Sequence, residues 1–114
     1  MKGVIEFYGK DTKMGAYENI YLFDKAGNII DIEALKVYSK TGRHWIIRIP
    51  KEVYGKAAFV IKVYISNSGK HYCSIIKKPE KIPKEVKEKI RRYIEETKHE
   101  KITPNCPLFL ELLN

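Results

Sequence analysis

The sequence predicts an α+β fold: an antiparallel sheet of about six strands with one C-terminal helix packed on it. Three observations predict it. The first 80 residues fall into short β-prone runs separated by polar, Gly-bearing turns. The spacing between those runs leaves no room for crossover connections, so the strands pair antiparallel. Residues 83–98 then change to a helical period. A length of 114 residues suits one domain, 1–114, divided into a β-rich part (1–79), the helix (83–98) and an apolar tail (102–114).

Val4-Ile5-Glu6-Phe7-Tyr8 reads as the first strand, ending at Gly9. Residues 9–16 are polar and carry Gly9 and Gly15, as a loop would. Tyr17 to Phe23 is the second strand. Asp24-Lys25-Ala26-Gly27-Asn28 is a turn with Gly where a positive φ is needed. Asn28 to Ile32 returns as the third. Leu35 to Ser39 and Arg43 to Ile49 form a hairpin around Lys40-Thr41-Gly42. Pro50 closes it, because proline has no N–H to give to a ladder. Residues 50–57 hold one helical turn with Pro50 at its first position. Phe59 to Ser66 and Lys70 to Lys77 form the last hairpin around Asn67-Ser68-Gly69. In the helix, Pro83 suits the first turn, and Glu85 and Glu88 complement the N-terminal dipole. Val86, Ile90, Tyr93 and Ile94 make one apolar stripe, with Thr97 at its end. The string Ile-Pro-Lys-Glu-Val occurs at 49–53 and again at 82–86, each read as a strand-to-helix junction.

The apolar content, 44%, is too high for a disordered chain, and no apolar run reaches the ~18 residues of a membrane span. The first residues meet Glu6 too early for a signal peptide, so a cytoplasmic protein is expected. Glutamine is absent while Lys and Glu abound, the composition of hyperthermophile proteins. Cys73 and Cys106 are read as two buried thiols, with a bridge between them as the alternative. The tail, with Leu108-Phe109-Leu110 and Leu112-Leu113, must dock on the core or on a second copy, which suggests a homodimer.

Charge carries the functional signal. Residues 1–33 hold four Lys against six acids, a net of −2; residues 80–114 come to +1. Residues 34–79 hold ten bases against Glu52 alone, a net of +9, so all the excess of the +8 chain lies in the middle. Like charges at that density repel one another, and a polyanion relieves the repulsion and releases counterions. Nucleic acid is therefore the expected partner.

Strand alternation sorts these residues onto faces. In the last hairpin a three-residue loop sets Tyr64 opposite Tyr72, Ile65 opposite His71, Val63 opposite Cys73 and Ile61 opposite Ile75. Lys62, Tyr64, Lys70 and Tyr72 are then outward. In the preceding hairpin Leu35, Val37, Trp45, Ile47 and Ile49 are expected inward, and Lys36, Tyr38, His44 and Arg48 outward with Ile46. Lys40, Arg43 and Lys70 fall at hairpin tips. An outer sheet face with Tyr38, Tyr64 and Tyr72 among Lys and Arg suits single-stranded DNA or RNA, because rings stack bases and cations follow phosphates. Most such contacts go to phosphate, so sequence preference is expected to be weak.

Other chemistries fit less well. The three His residues are dispersed, the acids lie near turns, and no Gly-rich phosphate loop is present, so no catalytic residue, metal or cofactor is expected. A metal-independent ribonuclease with His44 or His71 as base, and a module docking on an acidic protein partner, are the alternatives. Arg48-Ile49-Pro50-Lys51-Glu52-Val53 resembles the strand-to-helix segment of AbrB-type swapped-hairpin DNA-binding domains. The match is six residues long, the Gly-Asp turn that follows in that family is absent, and no fold is carried over. The order of strands followed by a helix is similar to that of single-strand-binding sheet families such as the Whirly-like domains, an analogy of architecture alone.

Overall fold

The computed structural model describes residues 3–96. Seven strands form one antiparallel sheet: β1 (Val4–Asp11), β2 (Tyr17–Phe23), β3 (Ile29–Ile30), β4 (Lys36–Tyr38), β5 (His44–Pro50), β6 (Phe59–Ile65) and β7 (His71–Lys77). Helix α1 spans Lys51–Lys56 and α2 spans Lys84–Glu95. The strand order is β4-β5-β1-β2-β6-β7, with β3 on β2. The predicted antiparallel sheet with a packed helix is thus what forms.

Strand β2 organises the core. Six of its seven residues are buried, so both of its faces are covered. Along one edge it pairs with β6 over its whole length, from Tyr17↔Ile65 to Phe23↔Phe59. Along the other it is shared. Strand β1 holds only the start, through Lys10↔Glu18 and Asp11↔Tyr17. Strand β3 holds only the end, through Leu22↔Ile30 and Phe23↔Ile29. The sheet therefore parts between β1 and β2.

Helix α2 begins after Pro83, whose φ of −59° is already that of a helix while its missing N–H costs nothing there. Its buried side chains are Val86, Ile90 and Ile94, the core of the predicted stripe. Tyr93 stands at the rim and meets Tyr21 and Phe23 edge-on, with ring centroids 6.2 and 5.6 Å apart. Tyr21 and Phe23 are odd-numbered β2 residues, so α2 lies over the odd face of that strand. Gly27 lets the helix approach: its φ is +86°, and a Cβ there would come within 3.3 Å of Val86. Arg91 bridges Glu88 and Glu95 on the far side at 2.7 and 2.8 Å. Truncating a fully buried side chain such as Ile47 or Ile61 would cost about 2–5 kcal/mol.

Several expectations need correction. β1 does not end at Gly9; it continues to Asp11 because β5 runs beside it as far as Lys10↔His44. The third strand is two residues long, and Glu33–Leu35 forms a 3₁₀ turn instead of strand. Pro50 and Pro83 both stand just before their helices rather than inside them. The second Ile-Pro-Lys-Glu-Val string follows a loop, not a strand. Cys73 is disulfide-bonded rather than a thiol. Thr97 and the tail 102–114, with the dimer contact expected of it, lie outside the described residues. No helix among the described residues is long and apolar enough to cross a membrane.

Candidate nucleic-acid interface

The even residues of β2, and those in line with them, form the face opposite α2, which is covered at Ile20 and Leu22 and open at Tyr8, Arg48 and Tyr72. Cα partners link one row across five strands: His44, Lys10, Glu18, Tyr64 and Tyr72. The β6–β7 register is the predicted one, with Val63↔Cys73, Tyr64↔Tyr72 and Ile65↔His71. Tyr72 is 45% exposed, and its ring lies 5.9 Å from that of Tyr64, tilted by 31°. Lys10 sits 5.1 Å over the Tyr64 ring and Lys70 sits 5.7 Å over the Tyr72 ring. Two rings side by side with an ammonium at each end offer stacking surface and phosphate contacts together.

Three hairpin loops gather at this end of the sheet. Strand β1 ends where β5, β2 and β7 begin and β6 ends, so the 12–16, 39–43 and 66–70 loops are neighbours. A Cβ on Gly15 would stand 4.0 Å from the Asn67 carbonyl oxygen, which sets the first loop against the third. Lys13, Lys40, Arg43 and Lys70 project from them.

The ten nominated residues do not all share this surface. His44, Arg48, Lys62, Tyr64 and Tyr72 lie on the open face, and Lys40, Arg43 and Lys70 on the loops at its end. Two of the cations are matched there by acids from the first third of the chain: Lys62 pairs with Glu18 at 2.8 Å and Arg48 with Glu6 at 3.0 Å. The charge asymmetry along the sequence is thus partly cancelled in space, because the fold lays β1 and β2 beside β5 and β6.

Lys36 and Tyr38 are on the other side. Tyr38 pairs with Trp45 and Lys36 with Ile47, so they follow those inward residues, and Val37 is the one turned out, 53% exposed. Lys36 lies 5.3 Å over the Trp45 ring and bridges Glu33 at 3.0 Å, its side chain only 9% exposed. Tyr38 donates its hydroxyl proton to Glu33. That hydrogen bond, followed by partial burial, pushes the Tyr38 hydroxyl up to about 12. Sequence reasoning missed Tyr8 and Lys10. Tyr8 pairs with Ile46 on the open face and is 64% exposed. Continued alternation past Gly9 would have found both.

The ribonuclease alternative gains nothing from the geometry. His44 stands on the open face, while His71 pairs with Ile65 on the helix side, with three strands between its strand and β5. Among the described residues no three His, Cys, Asp or Glu side chains are grouped to hold a metal. Comparison with known proteins finds no matching family, no matching curated protein and no matching solved structure.

Proposed function

We propose that the protein binds single-stranded DNA or RNA, without catalysis and with weak sequence preference, across the open face of its sheet. The supporting observation is the Lys10–Tyr64–Tyr72–Lys70 row, uncovered by α2 and continued by three cationic loops. Bases stack on the two rings, while Lys10, Lys40, Arg43 and Lys70 follow the backbone phosphates. Lys62 and Arg48 contribute less, since each already serves a carboxylate.

Fluorescence anisotropy of a labelled single strand at several salt concentrations tests this. Affinity should fall linearly in log–log form, by roughly 0.7 per phosphate contacted. Absence of binding at low salt would overturn it. The second reading, docking on an acidic protein partner, draws on Val4 and Val37, whose apolar side chains are 55% and 53% exposed on the same face. Absence of single-strand binding at low salt would favour that reading.

A further inference from the structure

Strand β1 turns Glu6, Tyr8 and Lys10 to the open face in sequence: an acid, a ring and a cation. Same-face neighbours are two residues apart, so these side chains stand ~6.6 Å from one another along the strand. Tyr8 is 64% exposed, more than any other aromatic residue described. Its Cα partner on β5 is the aliphatic Ile46. The two flanks of the ring differ. On one side Lys10 reaches toward Tyr64, 5.1 Å from the centroid of that ring. On the other, Glu6 lies opposite Arg48, whose Nε donates to Glu6 Oε2 at 3.0 Å. The Glu6 and Arg48 side chains are 41% and 56% exposed. The second Glu6 oxygen and the terminal nitrogens of Arg48 have no protein partner among the described residues.

An ion pair this exposed adds little to stability. It is also a poor phosphate site, because the carboxylate offsets the guanidinium. What it does present is an open acceptor and open donors side by side, next to an open ring. Reading the edge of a stacked base needs that combination.

We infer that a guanine of the bound strand stacks on Tyr8 and is read at its edge by Glu6 and Arg48. Guanine presents two adjacent donors, N1–H and the 2-amino group, followed by the O6 carbonyl. Glu6 accepts from the donors, and Arg48 gives its terminal N–H groups to O6 while its Nε stays on Glu6. Adenine and cytosine each offer a single donor group at that edge. Thymine and uracil set one N–H between two carbonyls and so turn a carbonyl toward the carboxylate. Lys10, on the far side of the ring, takes the phosphate, which directs the edge of the base toward Glu6. From there the strand passes Lys10 to Tyr64 and Tyr72. The inference rests on strand binding by the open face, and adds one base-selective position to a contact otherwise indifferent to sequence.

Labelled single-stranded octamers of dT, with one central position replaced in turn by dG, deoxyinosine, dA or dC, test this by fluorescence anisotropy at low salt. The dG strand should bind about tenfold more tightly than the dT, dA and dC strands. Deoxyinosine, which lacks the 2-amino group, should bind roughly threefold less tightly than dG. Tyr8→Ala should weaken the dG strand about tenfold, and Glu6→Ala should bring it within about twofold of dT. Both side chains are exposed, and the strand series on the wild-type protein needs no variant. Equal affinity for all five strands overturns this inference and leaves the proposed function in place. So does a dG preference that survives Glu6→Ala. Failure of every strand to bind overturns the proposed function and this inference with it.

Discussion

The β4–β5 and β6–β7 hairpins carry nearly the same turn, Ser39-Lys40-Thr41-Gly42-Arg43 and Ser66-Asn67-Ser68-Gly69-Lys70. In both, the glycine has positive φ, at +72° and +84°, and gives its N–H to the serine carbonyl at 2.9 Å. In both, the serine hydroxyl meets the hydroxyl two residues on, at 3.0 and 2.9 Å. They close differently. Ser66 N–H donates to the Lys70 carbonyl, whereas Ser39 N–H passes over Arg43 and reaches His44 at 2.7 Å. The Arg43 carbonyl is engaged elsewhere: it accepts the Asp11 N–H of β1, also at 2.7 Å. Lys70 leads into β7, which among the described residues pairs with β6 alone, so its carbonyl has no rival. A turn motif sets register only where the closing carbonyl serves no other strand. One residue of difference sends Lys36 and Tyr38 to the helix side and leaves Tyr64 and Tyr72 on the open face.

Gly9→Val should break the helix side of this comparison most severely. The new side chain would occupy the place of the Trp45 indole, which has β-sheet on one side and Tyr17 and Tyr38 rings 6.2 and 5.7 Å away. We expect a loss of about 3 kcal/mol and a thermal midpoint lower by roughly 10 °C or more, read by calorimetry. A midpoint equal to wild type would mean that the indole does not lie over β1.

On the open side, Tyr64→Ala with Tyr72→Ala should weaken single-strand affinity by about 30-fold or more, each ring being worth ~1–3 kcal/mol of stacking. Tyr38→Ala, one register step away, should leave it within about twofold. Equal losses from Tyr38 and Tyr72 would erase the distinction between the two hairpins.

Deleting Lys40 shortens the β4–β5 loop to the length of its counterpart and sharpens the test. Either β4 turns over, exposing Lys36 and burying Val37, or the hairpin strains; both should cost about 1–2 kcal/mol, because Lys36 and Tyr38 lose Glu33. Unchanged stability with unchanged Tyr38–Trp45 proximity in NMR would show that loop length plays no part.

The smallest effect is in pH. A hydroxyl raised from 10.0 to about 12 favours the folded state fully below pH 10, and that contribution is lost as pH climbs through about 12. Ultraviolet titration should show Tyr38 ionising late, and Glu33→Gln should bring it back toward 10.0 by weakening the hydrogen bond that holds its proton and removing the charge beside it. Late ionisation persisting in Glu33→Gln would assign the shift to burial instead.

Much of the architecture was legible because alternation is a local property. Tyr64, Tyr72, Val63 and Cys73 sort correctly from their own hairpin, and Val86, Ile90 and Ile94 from their own helix. What escaped depends on distant neighbours. The facing of Lys36 and Tyr38 is decided by β1, more than 25 residues earlier in the chain. The role of Gly9, read as a strand end, appears only once Trp45 is laid across it. Neutralisation of Lys62 and Arg48 needs Glu18 and Glu6, which composition had placed in a separate acidic block.

The shared edge of β2 also bears on how the molecule assembles. Its two hairpins, β4–β5 and β6–β7, are made of near neighbours, but β1–β5 and β2–β6 join segments about forty positions apart. Chain entropy opposes such closures until many contacts form at once. The hairpins should therefore appear early and the centre of the sheet last. Stopped-flow refolding would then be slow for so short a chain, with Trp45 burial among its final events.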